Sequence, residues 1–488
     1  MNPKLLFLCL SLVFTSHTKA APLNLEDALA LARKNSLSRQ KFESEKLQND
    51  SLNDRGEKYY DSNLSVEISS STDEGQLSDV SAGDKRYQDK AEIEYSKLFS
   101  TGTILKVSTG FEKGEVDYGA LASQLSPQSA PRYNPERKAL FSFTVSQKLW
   151  RNWNTQLIRL QKKIGYGAGD RSQFEMQIDL QKHQHMVESY YWNAISLNEK
   201  IRIAKSLVKQ SKRFQTSMKK RKNLGRANEI DLADSDARLF ENESLLLNLK
   251  SQKSQMLTQL RYLIYGNKAP ESFKVPEKLP ESTKSNLIYR SFPKAKEKVK
   301  QSRYDLKLVR TMKEYTFDKV MLAEEKDKAD ISLFATMQRR GLGSSSQDSI
   351  DDINGGKVFS YGLSVDWDIG GSEARQEKLA ANYERAKWSQ EEQEILNSVY
   401  RELDVNYQNL NSLQEQIRLK NRQITSLRKK RNAESRNLRL AKTDDVGLIL
   451  YDMELSLALV DKVDLTLGKL SREANIRQLL HQYPEAKQ

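Results

Sequence analysis

The stretch FSYGLSVDWDI, residues 359–369, decides the fold of this 488-residue chain. Large apolar side chains alternate in it with small or acidic ones, so an extended backbone would place all of the large ones on one face. About ten residues of this pattern have the period and length of a strand in an outer-membrane barrel, with lipid on one side and water on the other. A half-buried strand of a soluble sheet alternates in the same way, so this stretch alone leaves both interpretations open.

Other segments repeat the pattern and bring the count to four good strands per chain. Residues 64–69, 141–146 and 331–335 also alternate apolar with polar side chains. The residues that we predict to face lipid are Phe359, Tyr361, Leu363, Val365 and Trp367 in the last strand and Phe141, Phe143 and Val145 in an earlier one. Gly341–Gly356 is rich in glycine, serine and aspartate and is predicted to be a surface loop.

One further region of alternation, Glu92–Gly114, has no counterpart in the second half of the chain. Its apolar residues alternate on both sides of a Ser100-Thr101-Gly102 turn, which indicates a hairpin. The hairpin either joins the barrel and enlarges it or forms an extension at the outer surface. We expect the extension.

Two long segments of the chain, 136–269 and 294–483, contain no proline. Since proline ends or kinks helices, both can be helical over long distances. Apolar residues recur in them at steps of three and four, a narrow seam that packs helix on helix and leaves the other faces in water. One such seam is Val187, Tyr190, Ala194, Leu197, Ile201, Ala204 and Val208. A helix from about 372 to 438 would be roughly 100 Å long, which no compact domain needs.

The strands and long helices occur twice, which predicts two structural repeats around a proline-rich linker at 276–293. Repeat one, 21–275, would hold an N-terminal helix, strands and loops at about 60–148 and a long helical hairpin at about 152–266. Repeat two, 294–488, would hold a helix at about 294–328, strands at about 330–369 and a long helical hairpin at about 372–482. The duplication is clearest at the hairpin turns. Residues 223–232 align there without gaps on 437–446, which places Asp231 opposite Asp445.

Residues 1–20 are predicted to be a signal peptide that is removed on export, with Lys4 before an apolar core and Thr18-Lys19-Ala20 at the cleavage site. The core has about ten residues, too few to span a bilayer as a helix. The only cysteine, Cys9, lies within it, so the mature chain would have no disulfide and no thiol chemistry. No later segment has the length and apolarity of a membrane helix, so a mature chain that enters a membrane would have to do so as β-strands.

The composition argues against nucleic-acid binding and catalysis. The net charge is +14, but 79 basic residues are interleaved with 65 acidic ones, and an exported chain rarely meets nucleic acid. His183 and His185 are two residues apart on a predicted helix and point to different faces, whereas a metal-binding pair is usually at i and i+4. We find no phosphate-binding glycine loop and no nucleophile elbow, so we predict no cofactor, no metal and no enzyme activity.

Several motifs resemble the TolC-like outer-membrane efflux protein family, and the resemblance covers nearly all of the predicted mature chain. Residues 23–36 are similar to the first helix of that family, and residues 145–152 to its strand-to-helix junction, although a proline is usual where Lys148 stands. Residues 367–371 are similar to the junction of the second repeat. No single motif is specific, but their order and spacing across two repeats are.

The resemblance implies a mixed α and β membrane protein: a trimeric transmembrane β-barrel that continues as a long periplasmic α-helical coiled-coil tunnel. The resemblance also implies a homotrimer, and physics agrees, because an open sheet edge cannot lie in lipid and three copies of four strands would close a barrel of twelve. The implied partners are the other two copies, outer-membrane lipid, a periplasmic adaptor and an inner-membrane pump. The implied location is the outer membrane of a two-membrane bacterium.

In the family, acidic residues ring the narrow inner end of the tunnel. The resemblance places Asp445 at the first of these acids, and Asp231 and Asp234 lie at the equivalent turn of repeat one. Three symmetry-related carboxylates around a narrow pore would attract cations and repel anions. The same aspartates have a simpler interpretation as helix caps, and one residue can do both.

The resemblance places adaptor docking at the same two turns. The residues that it singles out are Gly225, Arg226, Arg436 and Arg439, within a basic collar that also includes Lys219, Lys220, Arg221 and Lys222. Such a collar could meet an acidic adaptor tip or simply be solvated. The sequence therefore predicts a passive exit duct of a tripartite efflux pump or a type I secretion system; the alternative is an exported coiled-coil scaffold or adhesin without channel activity.

Overall fold

A computed structural model describes residues 23–74, 85–119, 132–266, 270, 273–280, 291–440, 442–443 and 445–483, so the predicted signal peptide lies outside the described residues. The chain divides into two compact units. The helical unit takes the N-terminal residues through Phe42, Phe174–Leu306 and the residues from Glu394 onward; the sheet unit takes Glu43–Gln173 and Lys307–Gln393.

Helices make up most of the chain. They are α1 (Leu25–Lys34), α2 (Leu37–Glu57), α3 (Gln156–Asn223), α4 (Glu229–Tyr265), α5 (Phe292–Ser302), α6 (Tyr304–Lys326), α7 (Ser346–Asp351), α8 (Ser372–Arg439) and α9 (Asp445–Leu479). The longest, α3 and α8, have 68 residues each. Each is followed by a short turn and a second long helix, which gives the helical hairpins α3–α4 and α8–α9.

The helical unit has its core along the predicted seam. Val187 and Ala194 are fully buried in α3, and Leu260 and Ile264 are fully buried in α4. They belong to one cluster with Leu470 of α9. Spacing at three and four residues puts these side chains on one stripe of each helix, so the hairpins pack through narrow seams while their other faces stay exposed.

The helix expected at about 294–328 is divided at Arg303 into α5 and α6. Arg303 is extended, with φ −74° and ψ 127°. Its guanidinium donates hydrogen bonds to the carboxylate of Asp305 and, at 2.9 Å, to the carbonyl of Leu479. Burial would raise the pKa of Asp305, but the Arg303 guanidinium outweighs burial and lowers it. The break therefore ties α6 to the end of α9, a long-range contact that local periodicity does not reveal.

A buried polar network joins α3 to the C-terminal end of α9. Glu188 is fully buried, and its carboxylate accepts hydrogen bonds from Tyr483 Oη at 2.6 Å and from Trp192 Nε1 at 3.0 Å. Arg477 Nη2 lies 2.6 Å from Glu188 Oε1, although not in hydrogen-bond alignment. The ion pair compensates a carboxylate that would otherwise be buried without a counter-charge.

The two histidines of α3 face different neighbours, as their spacing indicates. His183 Nε2 lies 3.0 Å from the carbonyl of Leu263, and His185 Nδ1 lies 3.5 Å from Tyr483 Oη. Burial lowers the pKa of both imidazoles, which favours their neutral forms. In the part of the chain that the structure describes, no three His, Cys, Asp or Glu side chains are grouped to hold a metal ion.

The sheet unit contains one antiparallel sheet of six strands in chain order. The strands are β1 (Ser62–Asp73), β2 (Lys85–Leu98), β3 (Thr103–Asp117), β4 (Glu136–Lys148), β5 (Asp330–Gly343) and β6 (Gly356–Asp366). The prediction of an outer-surface extension was wrong, because β2 and β3 lie within the sheet, between β1 and β4. Each is hydrogen-bonded along its length to β1 or β4, so its backbone groups are satisfied only as part of this sheet.

Candidate functional site

The apolar face of the sheet is continuous across all six strands. Two rows of directly paired residues run through β4, β5 and β6: Phe143, Met337 and Phe359, then Val145, Ala335 and Tyr361. These rows bring together four of the residues predicted to face lipid, whereas Phe141 is paired with Arg339 and so borders on charged residues. Trp367 follows β6 directly and is 61% exposed.

Large apolar side chains on this face lie open in the single chain. Tyr361 is 77% exposed, Leu363 60% and Ile68 81%. A contiguous apolar area of this kind marks an interaction surface, because soluble proteins rarely leave one in water.

The opposite face of the sheet is polar and carries alternating charges. Lys90 of β2 is paired with Glu112 of β3, which is in turn paired with Lys138 of β4. The Lys138 ammonium lies 3.5 Å from the Glu112 carboxylate and the Lys90 ammonium 2.6 Å from Glu92. Such a face is wetted, and together with the apolar face it has the two-sided character of a channel wall.

Among the described residues, the two outermost strands of the sheet each have a neighbouring strand on one side only. The order β1-β2-β3-β4-β5-β6 leaves β1 and β6 outermost, each with one neighbour. All twelve residues of β1 are exposed. Such edges present rows of backbone donors and acceptors that another strand can satisfy.

Where the sheet meets the helices, Lys148 closes an ion-pair cluster. The Lys148 ammonium lies 2.7 Å from both carboxylate oxygens of Asp330, and Arg151 Nη2 lies 3.0 Å from one of them. The cluster fixes the end of β4 against the start of β5. It explains how a lysine serves at the position where the resemblance leads one to expect proline.

At the opposite end of α3, the turn to α4 is a Schellman motif. Arg226 N donates to Arg221 O at 2.8 Å and Gly225 N donates to Lys222 O at 2.9 Å, with Gly225 at φ +67°. Glycine is favoured there because a Cβ strains this left-handed conformation. The turn is therefore rigid, and it presents Gly225 and Arg226 to solvent.

The turn from α8 to α9 lies two residues later than the gapless repeat alignment expects. Lys442 N donates to Asn437 O there, with the spacing of the bond from Arg226 to Arg221. As a result Asp231 and Asp445 are not equivalent: Asp231 is the third residue of α4, whereas Asp445 is the first of α9. The second turn is therefore displaced along the chain by two residues relative to the sequence match, although both turns leave the same number of residues between their helices.

The three candidate gate aspartates have different partners. Asp231 forms a capping box with Asn228, because each side chain accepts a hydrogen bond from the backbone N–H of the other at 2.8–2.9 Å. Asp234 accepts from Arg238 Nε at 2.8 Å. Asp445 is exposed and accepts a hydrogen bond at 2.8 Å from Oγ of the buried Ser217. Asp231 is thus a helix cap, while Asp234 and Asp445 form side-chain contacts and leave their charge near the turns.

The predicted docking residues lie at the exposed tips. Gly225, Arg226, Arg436 and Arg439 are all exposed. Leu224 and Leu440 are neighbours of these residues in sequence and are 69% and 64% exposed, so each tip carries an exposed leucine near its arginines. Exposed apolar and arginine side chains together are suited to protein contact.

A groove of about 830 Å³ lies next to these turns, and the sequence analysis missed it. Val208, Leu438, Leu448 and Ile449 give it an apolar floor. Lys205, Lys209, Lys212 and Lys220 form a basic stripe along α3. The signal was visible in the sequence, because spacings of three, four and eight place these lysines on one helix face. Of the four, Lys212 is paired with Glu243 at 2.9 Å.

Comparisons with known proteins identify the fold. No family model matches the sequence, and no curated protein matches it. The outer membrane protein VceC from Vibrio cholerae is similar in structure with a TM-score of 0.64 at 11% identity, over 94% of this chain and 96% of that one. The CmeC outer membrane channel of Campylobacter jejuni has a TM-score of 0.59 at 12% identity, over 94% and 85%.

The open state of the MtrE outer membrane channel of Neisseria gonorrhoeae is also similar, with a TM-score of 0.58 at 11% identity over 94% of this chain and 88% of that one. The chain therefore has the TolC-like fold of these outer-membrane channels. None of the described helices combines the length and the apolar character that are needed to cross a membrane.

Proposed function

We propose that this protein is a passive exit duct of the outer membrane, built from three copies of the chain and opened at its inner end by a periplasmic adaptor and an inner-membrane pump. The observation that carries the proposal is the two-sided sheet with free edges. Its apolar face suits lipid, its charged face suits a wet lumen, and its edges need partner strands. Both tripartite efflux and type I secretion are compatible with this design.

The alternative, an exported scaffold or adhesin, would leave the strands in water. It would then expose Phe359, Tyr361 and Ile68 together with unpaired strand edges, a surface that promotes aggregation. The likeness to three outer-membrane channels over 94% of the chain supports the duct instead.

Planar-bilayer recording tests the duct and its gate together. We expect the purified protein to require detergent and to insert discrete, cation-preferring channels. Asp234→Asn with Asp445→Asn should lower the cation-to-anion permeability ratio about twofold or more, because each trimer loses six carboxylates near the narrow end. Reversal potentials in a salt gradient measure the ratio.

Glu241→Gln is the matched control, because Glu241 is an exposed carboxylate farther along α4. Its reversal potential should equal that of the unmodified protein. If the unmodified protein did not conduct, the proposed duct would be contradicted. If the double variant formed normal channels with an unchanged permeability ratio, only the proposed gate would be contradicted. Asp231 is left intact because its removal would break the capping box.

The basic groove is the second element of the proposal, as the surface where an acidic adaptor helix docks. Glutamate in place of Lys205, Lys209 and Lys220 would reverse the charge of the groove and leave the ion pair of Lys212 with Glu243 in place. We expect transport by intact cells to fall at least about tenfold, since like charges across an interface cost several kcal/mol. Efflux or secretion from the source strain measures the effect.

Lys250→Glu reverses an exposed charge elsewhere on α4 and serves as the control. The groove variant should still conduct normally in bilayers. If cellular transport stays at the level of the control, the groove is a solvated surface and docking occurs elsewhere.

A further inference from the structure

The hairpin formed by β2 and β3 is paired with its neighbours β1 and β4 over most of its length. β1 pairs with β2 from Ser62↔Lys97 to Asp73↔Arg86. β3 pairs with β4 from Thr103↔Gln147 to Gly114↔Glu136. The hairpin therefore lies mostly at the level of its neighbours, and only its last few residues, Lys85 of β2 and Glu115–Asp117 of β3, extend past them.

The side chains of the hairpin continue both faces of the sheet. Ile93 is paired with Val66 of β1, and Val107 is paired with Phe143 of β4, so both lie in the apolar rows. On the other face, Ser108 is paired with Ser142, and Glu112 with Lys138. The apolar band and the charged face thus run through the hairpin without interruption.

We propose that three copies of the chain close an eighteen-stranded barrel through contact between β1 of one copy and β6 of the next, and that the β2–β3 hairpin makes its lumen wide enough for bulky, water-soluble cargo. The proposal rests on the function proposed above. Its basis is the six-stranded sheet of the described residues, whose two outermost strands have no second neighbour there. A barrel in lipid must have no open edge, so the outermost strands need partners from other copies.

The width of the helical wall in the sheet unit fits this strand number. Four helices lie side by side in each chain. Glu45 of α2 contacts Ser172 of α3, Asp170 of α3 accepts a hydrogen bond from Tyr315 of α6 at 2.5 Å, and Lys319 of α6 binds Glu384 of α8 at 2.7 Å. Three copies supply twelve helices, and at about 10 Å each they make a circumference of about 120 Å.

Eighteen strands spaced by about 4.8 Å reach the same circumference at a tilt of about 45°, the ordinary tilt of barrel strands. Twelve strands would need a tilt of about 60° to reach it. The shortest strand, β6, has 11 residues. At about 3.3 Å per residue it rises about 25 Å at the smaller tilt, which matches the height of a lipid-facing band, but only about 18 Å at the larger one.

The extra strands therefore widen the lumen. At a common tilt of about 45°, eighteen strands give a backbone diameter of about 39 Å and twelve about 26 Å. The membrane part of the duct would then be as wide as its helical wall. With its lumenal face lined by groups such as Glu94, Lys106 and Glu112, such a pore passes bulky hydrated molecules, polypeptide chains included, without sieving them at the membrane.

Cysteine labelling in lipid tests the position of the hairpin. The only native cysteine is Cys9, so each introduced thiol reports its own site in protein purified from the membrane. Val107→Cys and Ser108→Cys are compared with their sheet partners, Phe143→Cys and Ser142→Cys. We expect a charged, membrane-impermeant thiol reagent to label both serine sites at least about tenfold faster than the other two and to alter conductance only at the serine sites.

The proposal would be overturned if Val107→Cys and Ser108→Cys were labelled equally fast while Ser142→Cys of β4 was still labelled much faster than Phe143→Cys. Both faces of the hairpin would then be in water. Cryo-electron microscopy of the unmodified protein in nanodiscs supplies an independent readout. Eighteen strands in the membrane support the proposal, and twelve with the hairpin outside lipid refute it. The unmodified channel is recorded first: if it fails to conduct, the proposed function is at fault, not the strand number.

Discussion

Arginine in place of Leu363 is expected to abolish assembly in the outer membrane. Leu363 lies near the middle of the apolar band, directly paired with Leu333 of β5, and is 60% exposed in the single chain. A guanidinium at the bilayer midplane costs about 2–4 kcal/mol in each chain, and a trimer carries the cost three times. We expect folded trimer in outer-membrane fractions to fall by an order of magnitude or more, as measured by its resistance to dissociation on unheated gels.

The neighbouring residue provides the control. Ser364 is on the other face of β6 and is paired with Ser332, so Ser364→Arg adds the same charge to the side that we assign to the lumen. That variant should assemble normally and shift channel selectivity toward anions. If Ser364→Arg blocked assembly while Leu363→Arg did not, the two faces of the sheet would have to be exchanged.

The faces of the strands and the long helices could be predicted from the sequence, because apolar residues recur every two residues in a strand and every three or four in a helix. These patterns depend only on residues close together in one element, as in the alternation at Phe359 and Tyr361 and the seam at Val187 and Ala194. They can therefore be recognised without knowledge of the tertiary structure. The TolC-like fold followed from the order of these elements, and the structural comparisons confirm it.

The position of the β2–β3 hairpin depended on pairing between distant residues and could not be derived in this way. Its alternation was visible, but the comparison with the second repeat, which has no such hairpin, favoured a peripheral location. The structure shows that Ile93 faces the same side as Val66, and only the register of β1 with β2 makes that alignment apparent. Strand register is set by which face is buried, and a single sequence does not state the partner.

The two-residue offset of the α8–α9 turn could not be derived from the sequence for a different reason. A gapless match between residues 223–232 and 437–446 has no means of showing that the second turn is displaced by two residues. A shift of that size changes Asp445 from a capping position like that of Asp231 to the first residue of its helix, where it contacts Ser217. Capping depends on one backbone N–H, so a small shift changes the role of the residue.

Alanine in place of Arg477 is expected to lower the free energy of unfolding of the helical unit by about 3–5 kcal/mol, because it leaves the fully buried Glu188 carboxylate without a counter-charge. Loss of helical circular dichroism on heating in detergent measures the effect, as a lower midpoint temperature. Arg472→Ala is the matched control. Arg472 is five residues earlier on α9 and donates a long hydrogen bond of 3.4 Å to Asn406 Oδ1, so its removal should cost less than about 1 kcal/mol.

A paired replacement separates the charge from the packing. Glu188→Leu with Arg477→Met removes both charges and keeps the volume, and buried ion pairs replaced in this way are often neutral or stabilising. We expect the double variant to recover most of the stability lost in Arg477→Ala, although Tyr483 and Trp192 lose the acceptor that Glu188 provides. If Arg477→Ala alone melted like the control, solvent would have to reach Glu188, and the join between α3 and the end of α9 would depend on apolar contacts such as those of Ile195 and Leu470.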